Sequence, residues 1–504
     1  MKNLKNKKIL LFAPELEKKE YRGIAFYTKS LIKALYDSGA EIWLVSSINP
    51  DNLKIQKFNE NSRNYIFNYE ILQNFYNGND LNIDLKNFSK KYIFLNFLPG
   101  FKRNNKFIFF FLNSVKTFFQ SNKYDKNNTK KINFNYKYDN PYLKFEKLSF
   151  MHNISGFITA PNISSNFNYK SYFPFKNKII FELDFFDCYI TSEPLNLFAK
   201  NNIPIFQTIH DLIPLEFNTN ILSIKSFYRK IKFSGENEKI FISDVTKDKF
   251  THLIGNKIRQ GKTSRNESVI IQPPSLEFES QNFLKIYKNI LNSISIENDS
   301  KKINKNKKSK TNYNLQPFNY FLFNASIDSR KNVLLLVDSF INSKAQKNGI
   351  KLVLVGQLKN DEYSKKIKRM ISINSGIIST GYVNKAIKSA LYLNALSLLS
   401  PSMIEGFGIP VLDACCLGLN CFASNCASHR EIQNLYDFKN LLVLYPPTSL
   451  TKWSDIFSKE EFFKKSNIDN IIKERILRYK NYKEIIEVNF RTKLETLISN
   501  KLEK

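Results

Sequence analysis

A chain of 504 residues is too long for one ordinary core, because single cores stop growing at roughly 250–300 residues, so two domains are expected. Lys and Arg total 76 against 45 Asp and Glu, a net charge of +31; since Lys, Asn, Ile and Phe are over-used from end to end, this is read first as a composition bias and second as affinity for an anionic membrane surface, while the lack of any basic-aromatic binding module sets nucleic acid aside. Five cysteines, Cys188, Cys415, Cys416, Cys421 and Cys426, show no paired CxxC spacing, which favours neither a disulfide framework nor structural zinc and fits a reducing cytosol.

The basic start leads into an apolar run over 9–13 that Pro14 and Glu15 end, too short for a secretory h-region. That run is a strand over 8–13; Ile24, Tyr27, Leu31 and Leu35 at helical spacing and a strand over 41–45 complete a βαβ unit. The most lipid-like stretch, 107–112, is far shorter than the roughly 20 residues a bilayer crossing needs. The expected location is therefore cytoplasmic, peripheral at most, at the inner face of a membrane. Residues 121–178 mix Asn, Lys, Tyr and Phe with little periodicity and read as a surface insertion or acceptor-side lobe. Strands over 188–190, 203–207, 239–242 and 269–272 extend a first parallel sheet.

Residues 293–312 are charged, hold only three isoleucines as large apolar groups, and read as a linker between a domain over 1–292 and a second over 313–450. The second domain alternates short apolar strands (320–324, 351–355, 377–379, 396–399) with helices (333–343, 364–373, 385–394), the pattern of a doubly wound α/β domain. Helical patterns fill 451–504, and a basic tail helix there is expected to pack back toward the first domain.

Glycine is scarce, 15 in all, and seven lie between Gly349 and Gly418, mostly at strand ends, where doubly wound sheets bind ligands. The segment from Ser400 to Asp413 is the densest of these. Pro410 suits a first helical position and Gly418 a C-terminal cap, so a short helix over 410–417 presents its amino end to a diphosphate. Glu405 in the glycine loop and Asp413 in that helix can accept hydrogen bonds from hydroxyls of one elongated polar ligand. Arg330 and Lys331 put adjacent cations at another strand end, suited to phosphate oxygens.

Five segments in order resemble the retaining group 1 glycosyltransferases of the GT-B fold: 22–28 (RGIAFYT), 210–214 (HDLIP), 330–332 (RKN), 381–383 (GYV) and 405–413 (EGFGIPVLD), the last matching the acidic loop written E-x7-E. The resemblance implies two doubly wound Rossmann-like domains facing a cleft and transfer of a hexose, mannose among the candidates, from a nucleotide-diphosphate sugar to a glycan or lipid-linked acceptor in surface polysaccharide synthesis. It implies that Glu405 meets the transferred sugar, that Gly406, Phe407 and Gly408 offer amides to its hydroxyls, that Arg330 and Lys331 neutralise the departing diphosphate, and that His210 lies near sugar and acceptor. Gly23 and Gly356 would admit the donor, Tyr382 and Val383 would flank its base, and Asp413 would reach its ribose. No D-x-D occurs, so no metal or other cofactor is expected. Asp413 in place of Glu, Ala325 in place of Gly and Ala25-Phe26 in place of Gly-Arg depart from the family pattern, which keeps open a catalytically degenerate nucleotide-sugar-binding relative.

Overall fold

A computed structural model describes residues 4–18, 23–49, 59–78, 114, 117–134, 140–173, 178–217, 220–235, 237–255, 267–278, 295–297, 310–312, 315–459 and 468–503. The chain divides into two compact units, Met1–Gln272 with Glu487–Lys504, and Pro273–Ile486. The first unit thus ends at Gln272 rather than at 292, and the long helix Ile468–Leu502 is shared between the two.

In the first unit the strands are β1 (Lys8–Phe12), β2 (Glu41–Ser46), β3 (Lys123–Asp125), β4 (Lys130–Asn133), β5 (Gly156–Thr159), β6 (Ile179–Glu182), β7 (Cys188–Thr191), β8 (Leu197–Ala199), β9 (Ile205–Ile209), β10 (Glu238–Phe241) and β11 (Glu267–Val269). The main sheet runs β11-β10-β9-β7-β1-β2-β5-β4, parallel except for β4, which pairs antiparallel with β5 and closes one edge. The order reverses at β1, the switch point of a doubly wound fold. β1 reads KILLF without alternation because a central parallel strand is covered on both faces. Phe12 packs edge-on against Phe181 at 4.8 Å, joining the main sheet to the small parallel sheet β3-β6-β8.

Residues 121–178 correct the sequence reading. They hold β3 to β5 and the helix Ile163–Tyr169, and β5 is an integral strand of the main sheet, in register with β2 from Trp43↔Gly156 to Ser46↔Thr159. Part of the stretch, 135–139 and 174–177, lies outside the described residues.

In the segment read as a linker, β12 (Ser295–Glu297) and β13 (Lys310–Asn312) pair antiparallel, with Ser295 opposite Asn312; the residues between them lie outside the described ones. The second unit's main sheet is built from β14 (Tyr320–Asn324), β15 (Lys351–Val355), β16 (Ile377–Gly381), β17 (Ser397–Ser400), β18 (Cys421–Ser424) and β19 (Leu442–Tyr445). It is wholly parallel in the order β16-β15-β14-β17-β18-β19, the 3-2-1-4-5-6 pattern of dinucleotide-binding sheets. Its core gathers Phe321, Phe323, Leu336, Phe340, Leu352 and Leu354, with Phe457 edge-on to Phe321 at 5.0 Å. Arg475 of the long helix donates to the carbonyls of Leu393 and Ala395, capping the helix Lys385–Asn394. Among the described residues no helix is long and apolar enough to cross a membrane.

Candidate active site

The carboxyl edge of the second sheet collects most of the residues singled out from sequence. β14 leads through the turn Ser329–Lys331 into the helix Val333–Phe340, and β17 leads through the glycine loop into the helix Ile409–Leu417. The Met403 amide donates to the Arg330 carbonyl at 2.7 Å and ties the two connections together. This seats Lys331 against Glu405: the ammonium and carboxylate form an ion pair whose side chains are only 8% and 10% exposed. Ser402 Oγ donates to the same Glu405 oxygen at 2.7 Å. Arg330 instead places its Nε 3.3 Å from Asp328.

Burial works to raise the Glu405 carboxyl, but the Lys331 charge, then His429, then hydrogen bonds from Lys331 and Ser402 outweigh it and hold the group below the ordinary carboxylate value. The acid is therefore an anion at neutral pH. Its loop is held from below: the carbonyls of Glu405 and Gly406 lie 2.8 and 3.2 Å from Ser428 Oγ, which donates its one proton to the pair. His429 is fully buried beside Gly408, with Nδ1 2.9 Å from the Ser424 carbonyl.

Two glycines here meet a backbone need. Gly408 caps the helix at φ +104, and its carbonyl accepts from the amides of Val411 and Leu412. Gly356, just past β15, has φ +146, and a Cβ there would run into the carbonyl of Ala325. Its amide donates to the Gly381 carbonyl at 3.0 Å, so β14, β15 and β16 end in close contact. Gly356→Ala is expected to destabilise the protein by about 1–3 kcal/mol, read as a lower urea midpoint for the second unit. Tyr382 stands 47% exposed beyond β16, beside a half-buried Val383. Gly406 is half-buried and Phe407 buried; among the described residues the amides of Gly406, Phe407, Gly408 and Ile409 donate to no other protein group.

Asp413 is placed differently from the expectation. It falls in the second turn of Ile409–Leu417, is fully buried, and has both oxygens occupied. Oδ1 accepts from the Ser275 amide at 2.6 Å and the Tyr479 hydroxyl at 2.9 Å, Oδ2 from Ser275 Oγ at 2.6 Å, with Lys388 Nζ 3.5 Å away. The helical phase turns this carboxylate inward rather than toward the glycine loop.

The first unit presents its own group of polar residues at the carboxyl ends of β1, β7 and β9. His210 follows β9 and is 8% exposed; its Nε2 lies 2.7 Å from the Ser192 carbonyl. A carbonyl can only accept, so Nε2 carries the proton and Nδ1 is left as acceptor. Burial pushes the imidazole below its ordinary pKa, against the pull of the Ser192 carbonyl, Asp211 and Glu193, so it is neutral at pH 7. Gly23 opens the helix Gly23–Asp37, and Tyr27 of that helix meets the His210 ring edge-on at 4.8 Å. Arg22 lies outside the described residues.

The first unit also holds two buried acids that the sequence did not flag, of which Glu15 shares Ser192 with His210. Glu17 accepts from Ser46, Ser47, Ser164 and Asn74, and burial raises it. Glu15 accepts from Thr28 and Ser192, and burial, with the charge of Glu193, lifts its carboxyl to about 7. A carboxyl raised in the folded state favours the neutral form there, so its contribution is full below about 4.5 and is lost as pH rises through about 7. Melting temperatures are expected to fall across that window, and Glu15→Gln to remove its share of the slope. Ser402, Ser428 and His429 also escaped notice; the SPS segment ahead of Glu405 was the one available signal, and tertiary packing alone reveals the other two.

The strand order, the glycine loop ahead of a helix and the convergent strand ends define the second unit as a doubly wound nucleotide-binding type of α/β domain. Residues 303–450, less than a third of the chain, match the family model described as glycosyl transferases group 1. No curated protein matches the chain. Solved structures similar to it include Anabaena Alr3699/HepE in complex with UDP and glucose (TM-score 0.49, 10% identity, 98% of this chain and 100% of that one). Others are WaaG, a glycosyltransferase involved in lipopolysaccharide biosynthesis (0.43, 12%, 96% and 94%), and a trehalose-6-phosphate protein from E. coli bound with UDP-2-fluoro glucose (0.47, 10%, 99% and 99%).

Proposed function

We propose that the chain is a retaining glycosyltransferase that moves a hexose, mannose among the candidates, from a nucleotide-diphosphate sugar to a glycan or lipid-linked acceptor for a surface polysaccharide. The observation that carries the reading is the buried Lys331–Glu405 pair at the carboxyl edge of the second unit's sheet, within the stretch that matches the group 1 family model and next to the amino end of Ile409–Leu417. A diphosphate draws on that helix end, on Lys331 and on Arg330 for its negative charge, which makes a bound metal or other cofactor unnecessary to the proposal. Glu405, kept anionic, faces the positive charge that develops on the hexose, while the amides of Gly406, Phe407 and Gly408 take its hydroxyls. Gly356, Tyr382 and Val383 shape the base end and Gly23 the phosphate approach. Neutral His210, with Nδ1 as acceptor, suits a sugar or acceptor hydroxyl.

The protein acts in the cytoplasm, and its +31 charge favours the inner face of an anionic membrane over nucleic acid. A second reading, nucleotide-sugar binding without turnover, is favoured by one observation: the Asp413 carboxylate is already saturated within the protein. The purified chain is to be screened against a panel of nucleotide sugars for thermal stabilisation and for transfer without added divalent metal. Stabilisation with transfer is expected; stabilisation without transfer selects the second reading, and neither effect with any donor rejects both.

A further inference from the structure

The transfer reading leaves the buried acids Glu15 and Glu17 of the first unit without a task, and Glu15 is the one that shares a partner with His210. Glu15 is 4% exposed and is met by hydroxyls rather than by a cation. Thr28 Oγ1 donates to one of its oxygens and Ser192 Oγ to the other, the latter at 2.7 Å. Each hydroxyl also has a second acceptor within reach: the Ile24 carbonyl lies 2.9 Å from Thr28 Oγ1, and the Phe12 carbonyl 3.2 Å from Ser192 Oγ. A hydroxyl has one proton to give, so it bonds either to the carboxylate or to its carbonyl. With Glu15 ionised, both turn to it. With Glu15 protonated, its O–H donates to one hydroxyl, and that hydroxyl turns to its carbonyl. Neither state strands a buried donor, so the pocket accommodates both.

Ser192 is at the same time the partner of His210, whose Nε2–H its carbonyl accepts at 2.7 Å. Tyr27, next to Thr28 in sequence, abuts the His210 ring and fixes its own hydroxyl 3.1 Å from Thr208 Oγ1. The acid therefore reaches the imidazole from two sides. We infer that Glu15 is a positioning residue, a proton-switchable hub that holds Ser192 and Thr28 and through them sets the orientation of His210 in sugar transfer. The inference rests on the transferase reading for that last step. The surrounding titratable and charged groups are Tyr27 on the helix, Glu193 beside Ser192, His210 and Asp211 after β9, and Lys230, which feels both Glu193 and Lys18; Glu17 turns away to Ser46, Ser47 and Ser164. Glu193 is the one whose charge opposes ionisation of Glu15.

The full chain, labelled at its four histidines and with the His210 signal assigned by His210→Gln, provides a readout free of turnover. His210 itself is neutral around pH 7, so a step in its NMR signal there reports a neighbour. Such a step is expected in the wild type near the Glu15 value of about 7. It is expected to vanish in Glu15→Gln, which keeps one acceptor oxygen, places an amide N–H where the protonated acid has its O–H, and cannot titrate, and to shrink in Ser192→Ala, which cuts the link while Glu15 remains. A step unchanged in Glu15→Gln overturns the inference. In transfer assays Glu15→Ala is expected to lower kcat by about tenfold at unchanged KM, with Gln restoring the rate but not the pH limb near neutrality. A wild-type rate and pH profile in Glu15→Ala also overturns it. Absence of transfer by the wild type with every donor defeats the transferase reading instead, and leaves the NMR result to decide whether Glu15 controls His210.

Discussion

Lys331→Met is expected to lower kcat by about 10²–10³-fold and to destabilise the second unit by about 3–5 kcal/mol, because it leaves the Glu405 carboxylate buried without its cation. The two effects have different origins and can be separated. The stability loss comes from an uncompensated charge in a pair whose side chains are 8% and 10% exposed, not from the worth of the pair itself. The double variant Lys331→Met with Glu405→Leu removes both charges and is expected to regain most of the lost stability. Turnover is not expected to return, since neither the Lys331 cation proposed for the diphosphate nor the anion proposed to face the hexose remains. The pH dependence adds a check on sign. Glu405 is held below its ordinary value in the folded state, so its contribution is present above that value and is lost on acidification through the lowered one. The acid limb of the unfolding profile should shift when Lys331 is replaced. Urea unfolding across pH together with single-turnover transfer measures all of this, and full turnover in Lys331→Met would remove the pair from the mechanism.

How far the sequence carried depended on the kind of residue. Strands β14 and β15 and the helix Lys385–Asn394 were read to the residue, because short apolar runs bounded by Gly, Asn and Lys leave a parallel strand few alternatives. β5 was missed because GFIT has four residues in an aromatic-rich, polar stretch, and its place is fixed by pairing with β2, a contact more than a hundred residues away in sequence. β4, reading KKIN, carries the polar face of an edge strand and gives no apolar signal. The same division runs through the site. Glu405 and Lys331 stood out as motif residues, but that they pair with each other is a product of the Met403–Arg330 backbone bond. Ser428, His429, Glu15 and Ser192 act through tertiary neighbours and carry no local pattern.

Asp413 separates motif from environment most sharply, and Asp413→Ala is expected to cost about 3–5 kcal/mol of stability, more than a ribose contact would explain. Its loss strands the Ser275 amide, the Ser275 hydroxyl and the Tyr479 hydroxyl, and leaves Lys388 with one anion fewer. Tyr479 is itself bound to the Leu276 amide at 2.6 Å, so the carboxylate fastens residues 275–276 and the long helix to Ile409–Leu417 in a single node. Asp413→Asn retains one acceptor oxygen and should fall between wild type and Ala. Glu at this position, the residue of the family pattern, adds a methylene to a site with no exposed surface and is expected to destabilise by about 1–3 kcal/mol through overpacking. Chemical unfolding and calorimetric titration with nucleoside diphosphates on the folded Asn variant distinguish the two roles. A node that fastens elements lowers the unfolding midpoint while nucleotide affinity holds. A ribose ligand does the reverse, and an unchanged midpoint with affinity reduced about tenfold would return Asp413 to the binding site.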